Sequence, residues 1–164
     1  MPDKYRAWCD SMQAMAEARG MVYHLANWEE VAEQYADNPV MPLLKAALDV
    51  LPTGTTYALI SDWWRLRILA DSGGWYADTD FEAKVTPTWQ PSADIHMFDE
   101  GTTGPMLAAG MMIANGRRGQ DCASFMAHAA EEGLVKALGS PTAADFPRRY
   151  IELVRTDTPG RKWS

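Results

Sequence analysis

Hydrophobic residues recur at helical spacing in the first part of the chain. Trp8, Met12 and Met15 fall on one face of a segment that stops at Gly20. This spacing predicts an amphipathic helix over residues 3–19, with the glycine at its end.

Residues that cap or break helices divide the next thirty positions into short elements. The apolar run 21–25, MVYHL, is predicted as a short strand. Asn27 is a preferred N-cap residue, and it predicts a second helix that continues to about Tyr35. A third short helix is expected over residues 43–51, after two prolines break the chain.

The strongest helical segment covers residues 55–71. Apolar side chains occupy most of its circumference, which predicts a buried helix. Ser61, Asp62 and Arg65 lie at i, i+1 and i+4 and share one face. An exposed Asp62–Arg65 pair would contribute only roughly a few tenths of a kcal/mol. On a buried helix the pair is costly to desolvate, so we expect a polar cavity or a ligand beside it.

Short apolar segments alternate with helices through the rest of the chain. This alternation predicts an α/β layered domain, and we expect a single domain over residues 1–164. The predicted strands are 75–77, 94–98 and 106–114, and the predicted helices are 121–132 and about 148–154.

The first of these strands leads directly into Asp78-Thr79-Asp80. Residues i and i+2 of a strand point to the same face, so Asp78 and Asp80 are expected to present two carboxylates side by side. Two such charges repel each other unless a cation lies between them. Mn²⁺ and Mg²⁺ prefer oxygen ligands and leave positions for phosphate oxygens. Taken alone the triplet is a weak signal, because most DxD triplets are turns or solvated strand ends.

Composition and charge exclude several classes of function. The 164 residues are 47% hydrophobic and 23% charged, which suits one soluble domain. The net charge of −7 argues against nucleic acid as the main partner. No apolar run is close to the length of a transmembrane segment, which is about 18 residues. No secretory signal is evident either, so a cytoplasmic location is expected. Two separated cysteines and three separated histidines argue against a zinc site.

The polar helix face, the glycine pair and the acidic triplet form one spaced pattern. It reads Ser61-Asp62-x-x-Arg65-x-x-Ile68-Leu69-x-x-x-Gly73-Gly74-x-Tyr76-x-Asp78-x-Asp80. The pattern resembles the signature of the glycosyltransferases with a DXD sugar-binding region. That family includes yeast initiating mannosyltransferases, bacterial capsular and lipopolysaccharide sugar transferases and, more distantly, clostridial glucosylating toxins. Weaker similarity extends over residues 4–31 and 108–127.

This resemblance implies a GT-A-like (Rossmann-like) fold and a metal-dependent hexosyltransferase activity. A sugar would pass from a nucleotide-sugar donor, with retention, to an unknown acceptor that is a glycan, a lipid or a protein. The implied metal is Mn²⁺ or Mg²⁺, held by Asp78 and Asp80. Tyr76 is expected to pack rather than to touch substrate. The implied catalytic residues are Asp62, Arg65, Asp78 and Asp80, and the implied donor-binding residues are Ser61, Asp62, Arg65, Gly73, Gly74 and Asp78.

The chain departs from the family pattern at both ends. A strand of the Pro-Lys-Ile-Ile-His-x-x-Trp type, which helps to seat the nucleotide base, is not found before residue 4. The segment that closes the donor site is also short, so we expect a shortened form of the domain. Two alternatives therefore stay open. The first is a non-catalytic sugar-nucleotide binding or assembly module. The second, ranked lower, is a metal-dependent phosphohydrolase, which would need a group such as histidine to assist the attack of water.

Overall fold

Six helices and one three-stranded sheet make up the part of the chain that the computed structural model describes, residues 3–50, 54–84, 92–99 and 107–156. None of these helices is both long enough and apolar enough to cross a membrane. The elements are α1 (Asp3–Ala18), α2 (Trp28–Gln34), α3 (Met41–Val50), α4 (Gly54–Ser72), β1 (Gly74–Ala77), β2 (Ile95–Asp99), β3 (Leu107–Ala114), α5 (Gly116–Leu138) and α6 (Phe146–Thr156).

The sheet has β3 at its centre, with β1 and β2 on either side. Both neighbours run antiparallel to β3, and Tyr76 of β1 and Met97 of β2 both pair with Met112. The architecture is therefore a mixture of helices and a small antiparallel sheet. A Rossmann-like layer is built mainly from parallel strands, whereas the three described strands pair only in the antiparallel direction.

Helix α4 joins two hydrophobic cores. Ile60 and Trp63 enter a core formed with α2, α3, α5 and α6. One turn or two further along, Leu69 enters a second core, where it meets Tyr76 and the centre of the sheet. The prediction of a buried helix is confirmed for these faces, although Tyr57 is half-exposed. Since α4 belongs to both cores, it fixes the sheet against the helical layer.

Local sequence signals set where the second helix begins and where α4 ends. The Asn27 side chain accepts a hydrogen bond from the Glu30 N–H, and the Glu30 carboxylate accepts one from the Asn27 N–H, as the N-cap prediction requires. Gly73 ends α4 with a φ of +66°, and Gly74 follows with a φ of +84°. Two successive left-handed residues turn the chain directly from α4 into β1, a path that a side chain at either position would strain.

Two predictions about individual elements need correction. Residues 21–25 are not a strand: Val22 is 96% exposed, and no described strand pairs with this segment. A strand forms where backbone groups pair with a neighbouring strand, and this largely exposed segment has no such partner among the described strands. The helix predicted over 121–132 is longer, since α5 begins at Gly116 and ends at Leu138. Met106, predicted as part of a strand, lies outside the described residues.

The close approach of α5 to the sheet gives a stability prediction. A Cβ atom added at Gly119 would lie 2.3 Å from the Asp94 carbonyl oxygen and 2.8 Å from the Ala114 carbonyl carbon. These are backbone atoms that cannot rotate away, so Gly119→Ala is expected to lower the free energy of unfolding by about 1–3 kcal/mol. Urea denaturation measures this change.

Gly133→Ala is the matched control in the same helix. A Cβ atom there meets nothing within 4 Å, so the substitution is expected to raise the free energy of unfolding by up to about 1 kcal/mol through helix propensity. Equal unfolding free energies for the two variants would contradict the close approach at Gly119.

Candidate functional site

The end of β1 lies against the polar face of α4. Tyr76 is 8% exposed, and its ring meets the edge of Trp64 at a centroid distance of 5.7 Å. The Arg65 guanidinium carbon lies 5.2 Å from the centre of the same ring. These contacts hold the tyrosine ring between the strand and the helix, with its hydroxyl directed at neighbouring polar groups.

Three oxygen atoms cluster where β1 meets α4. The Tyr76 hydroxyl donates to Asp78 Oδ1 over 2.6 Å. Ser61 Oγ lies 2.7 Å from the Tyr76 hydroxyl oxygen and 3.0 Å from the same Asp78 oxygen. The structure therefore brings a residue of the predicted helix face, Ser61, into contact with the first aspartate of the triplet.

Arg65 is a buried cation between two carboxylates. Its residue exposure is only 4%. Nη2 donates to Asp62 Oδ1 over 2.5 Å and lies 3.6 Å from Asp78 Oδ2. The guanidinium also donates to Ser61, to the carbonyl oxygen from Nε and to the hydroxyl from Nη2, over 3.3 Å each. A buried charge is tolerated where such partners replace the lost water.

The expected Asp62–Arg65 pair is present but differs from the prediction in burial. Arg65 is buried, whereas the Asp62 side chain is 61% exposed. The pair is therefore not a fully desolvated ion pair. It joins a fixed internal cation to a carboxylate that solvent, and any ligand, can reach.

The strand-based prediction for the acidic triplet is wrong. Strand β1 ends at Ala77, and the Phe81 N–H donates to the Asp78 carbonyl oxygen over 3.1 Å, which closes a turn over residues 78–81. Alternation along a strand thus does not relate Asp78 to Asp80. Asp80 is exposed, and it makes no hydrogen bond or ion pair with the described residues.

Strand alternation relates a different pair. Tyr76 and Asp78 are two positions apart along β1 and its immediate extension, and both side chains meet α4. Tyr76 packs against α4, and in addition its hydroxyl donates to Asp78, a hydrogen bond that the sequence analysis does not include. The Tyr-x-Asp spacing at the end of a buried strand could have predicted this hydrogen bond, because side chains two positions apart lie on the same face.

The glycine pair lies at the other end of β1 from Asp78. Gly73 and Gly74 have the left-handed conformation that starts the strand. No contact with the Asp78 carboxylate involves them. Their observed contribution is to set the direction in which β1 leaves α4, and their predicted role in donor binding stays a prediction.

Asp78 and Asp80 supply carboxylate oxygens, which are the kind of ligand that a hard divalent cation prefers. Among the residues that the structure describes, Asp78 Oδ2 has the Arg65 guanidinium as its ion-pair partner at 3.6 Å, and Asp80 is exposed. Within the described ranges, no group of three or more His, Cys, Asp and Glu side chains could hold a metal. Two carboxylates suit a Mn²⁺ or Mg²⁺ ion that takes further ligands from a phosphate-bearing substrate and water.

The opposite side of α4 carries a second polar group. Arg67 pairs with Asp71 at 2.7 Å, and Tyr35 donates to the same carboxylate over 2.9 Å. The buried Glu131 accepts from Trp63 Nε1. Arg67 thus pairs with Asp71 rather than with the triplet, and these groups link α4 to Tyr35 at the end of α2 and to α5.

One comparison identifies the family. The sequence model described as the glycosyltransferase sugar-binding region containing a DXD motif matches residues 4–96, more than half of the chain, including α4, β1 and the triplet. The chain therefore belongs to this family. No curated protein and no solved structure matches it significantly. The resemblance to particular yeast, bacterial and clostridial members stays a prediction.

The raised pKa of the buried Tyr76 predicts how the free energy of unfolding changes at high pH. Burial and then the hydrogen bond to Asp78 raise the pKa of Tyr76 above its ordinary 10.0. A group whose pKa is higher in the folded state gives stability that is fully present below the unfolded pKa and is lost as pH rises towards the folded pKa. The free energy of unfolding should therefore fall above pH 10. Tyr76→Phe should make the fall shallower in urea denaturation at pH 9 to 11, and equal slopes would contradict the assignment.

Proposed function

We propose that this chain is a metal-dependent glycosyltransferase with a GT-A-like domain over residues 1–164. It would move a sugar from a nucleotide-sugar donor to an acceptor, with retention of anomeric configuration. One observation carries the proposal. In a member of this family, Asp78 and Asp80 lie on a turn beside the polar face of α4, where Arg65 is buried and Asp62 is accessible.

Asp78 and Asp80 would hold Mn²⁺ or Mg²⁺ against the donor diphosphate. Such an ion, when bound, neutralises charge on the departing diphosphate. The ligand set supports this role because Asp78 Oδ2 and both Asp80 oxygens accept no hydrogen bond from the described residues, and Arg65 reaches Asp78 Oδ2 only as an ion pair at 3.6 Å. Gly73 and Gly74 would assist by directing β1 so that the turn meets the donor.

Arg65 and Asp62 would contact the donor sugar and its phosphate. The guanidinium is fixed by Ser61, by Asp62 and by the face of Tyr76, so it enters the reaction already oriented. A cation held in a site with little water acts more strongly on phosphate oxygens than an exposed one does. Asp62 is open to solvent and can accept hydrogen bonds from sugar hydroxyls.

The reaction exchanges one bond at the anomeric carbon for another. The bond from that carbon to a diphosphate oxygen breaks, a bond to an acceptor oxygen forms, and the acceptor hydroxyl gives its proton to the departing diphosphate oxygen. Retention places the acceptor on the face that the diphosphate leaves, so no separate carboxylate base is assigned. Arg65 contributes by stabilising the charge that grows on the leaving oxygen.

The test is release of nucleotide from a panel of UDP-, GDP-, ADP- and dTDP-sugars in the presence of Mn²⁺. Asp80→Asn removes one proposed metal ligand and is expected to slow release by at least about tenfold. Glu82→Gln is the matched control, since it neutralises an exposed carboxylate two residues further along. That variant should release nucleotide at the wild-type rate.

Three possible results distinguish the glycosyltransferase from the alternative hypotheses. Equal rates for Asp80→Asn and Glu82→Gln would contradict the metal assignment. Mn²⁺-dependent donor binding by calorimetry, without release or transfer, would select the non-catalytic binding module instead. Absence of both donor binding and release across the panel would overturn the proposed function.

A further inference from the structure

The oxygens of Ser61, Tyr76 and Asp78 that cluster at the end of β1 carry too few protons for all three of their contacts to be hydrogen bonds. Ser61 Oγ, the Tyr76 hydroxyl and Asp78 Oδ1 lie 2.7, 2.6 and 3.0 Å from one another. An ionised Asp78 supplies no proton, and each hydroxyl supplies one. Only two of the three contacts can therefore be hydrogen bonds at any moment.

The distances select one arrangement of these two protons. The shortest contact, 2.6 Å, joins the Tyr76 hydroxyl to the carboxylate, as expected for donation to a charged acceptor. The next shortest, 2.7 Å, joins Ser61 to Tyr76, so Ser61 donates to the tyrosine. Arg65 Nη2 in turn donates to Ser61 Oγ over 3.3 Å. The result is a chain of donors from Arg65 through Ser61 and Tyr76 to Asp78.

The same geometry gives Asp78 Oδ1 a second hydroxyl that can donate to it when the first is removed. If the Tyr76 hydroxyl is removed, Ser61 can turn its single proton to Asp78 Oδ1, which is 3.0 Å away. If the Ser61 hydroxyl is removed, Tyr76 still donates to the carboxylate. Asp78 Oδ1 loses its last hydroxyl donor only when both are gone.

We propose that Ser61 and Tyr76 are positioning residues, which engage Asp78 Oδ1 by hydrogen bonds and leave Oδ2, which Arg65 Nη2 approaches to 3.6 Å, as the oxygen that takes the metal. This inference rests on the proposed function, because it requires Asp78 to be a metal ligand. It changes the role expected for Ser61, from contact with the donor to orientation of the aspartate. Partners that orient a metal ligand commonly change metal affinity by ten- to a hundredfold when they are removed.

The test measures Mn²⁺ affinity of the full chain without any donor, by water-proton relaxation. Tyr76→Phe and Ser61→Ala should each weaken Mn²⁺ binding only slightly, because one hydroxyl donor remains. The double variant should weaken it by about ten- to a hundredfold, more than the product of the two single effects. Ser61→Thr keeps the hydroxyl and should retain wild-type affinity.

Tyr35→Phe is the matched structural control. It removes another donation from a tyrosine to an aspartate, 2.9 Å long, on the opposite side of α4. Its thermal stability should fall by an amount similar to that of Tyr76→Phe, and its Mn²⁺ affinity should stay at the wild-type value. Loss of Mn²⁺ affinity in this control would show a general structural effect and overturn the positioning role.

The outcomes also distinguish the inference from the proposed function. Mn²⁺ binding that Asp78→Ala abolishes, but that the Ser61/Tyr76 double variant leaves unchanged, would overturn the inference alone. A variant Ser61→Ala that binds donor more weakly at saturating Mn²⁺, with the half-saturating Mn²⁺ concentration unchanged, would also overturn it in favour of direct donor contact. A wild-type chain that binds neither Mn²⁺ nor donor would overturn the proposed function and this inference together.

Discussion

A guanidinium removed from water is the constraint on which the site depends. Arg65 is 4% exposed, and an unpaired charge at such a position would cost several kcal/mol. Its partners come from two elements: Asp62 and Ser61 on α4, and Asp78 just after β1. The need to pair this one charge therefore favours the placement of the acidic turn against the helix, where Tyr76 adds its hydroxyl.

The fold fixes that placement from both sides. Trp63 anchors α4 in the helical core, and Leu69 anchors it in the core below the sheet. Gly73 and Gly74 then turn the chain in the shortest way from the helix to β1. Since β1 is only four residues long, the turn at Asp78 is carried back along α4 to the level of Ser61 and Arg65. Packing far from the triplet thus sets the geometry of its carboxylates.

Sequence patterns predicted what depends on neighbouring residues and failed where distant partners decide. The cap at Asn27 and the end of α4 at Gly73 follow from local hydrogen bonds and backbone freedom, and both are confirmed. Residues 21–25 were mistaken for a strand because no local pattern shows whether a partner edge exists. The polar face of α4 was predicted, but the turn at Asp78 and the donation from Tyr76 were not. The bonds that form them are local, but the contacts of Tyr76 and Asp78 with Ser61 and Arg65 depend on how β1 meets the helix.

The proposed function requires Asp78 and Asp80 to bind a divalent cation together with the donor diphosphate. Its most direct test is a crystal structure of the chain with Mn²⁺ and a nucleotide-sugar, with the ion located by its anomalous signal. We expect one Mn²⁺ coordinated by Asp78 Oδ2, by Asp80 and by oxygens of the diphosphate. A diphosphate bound with neither carboxylate on its metal ion, or a Mn²⁺ ion at another place in the chain, would contradict it.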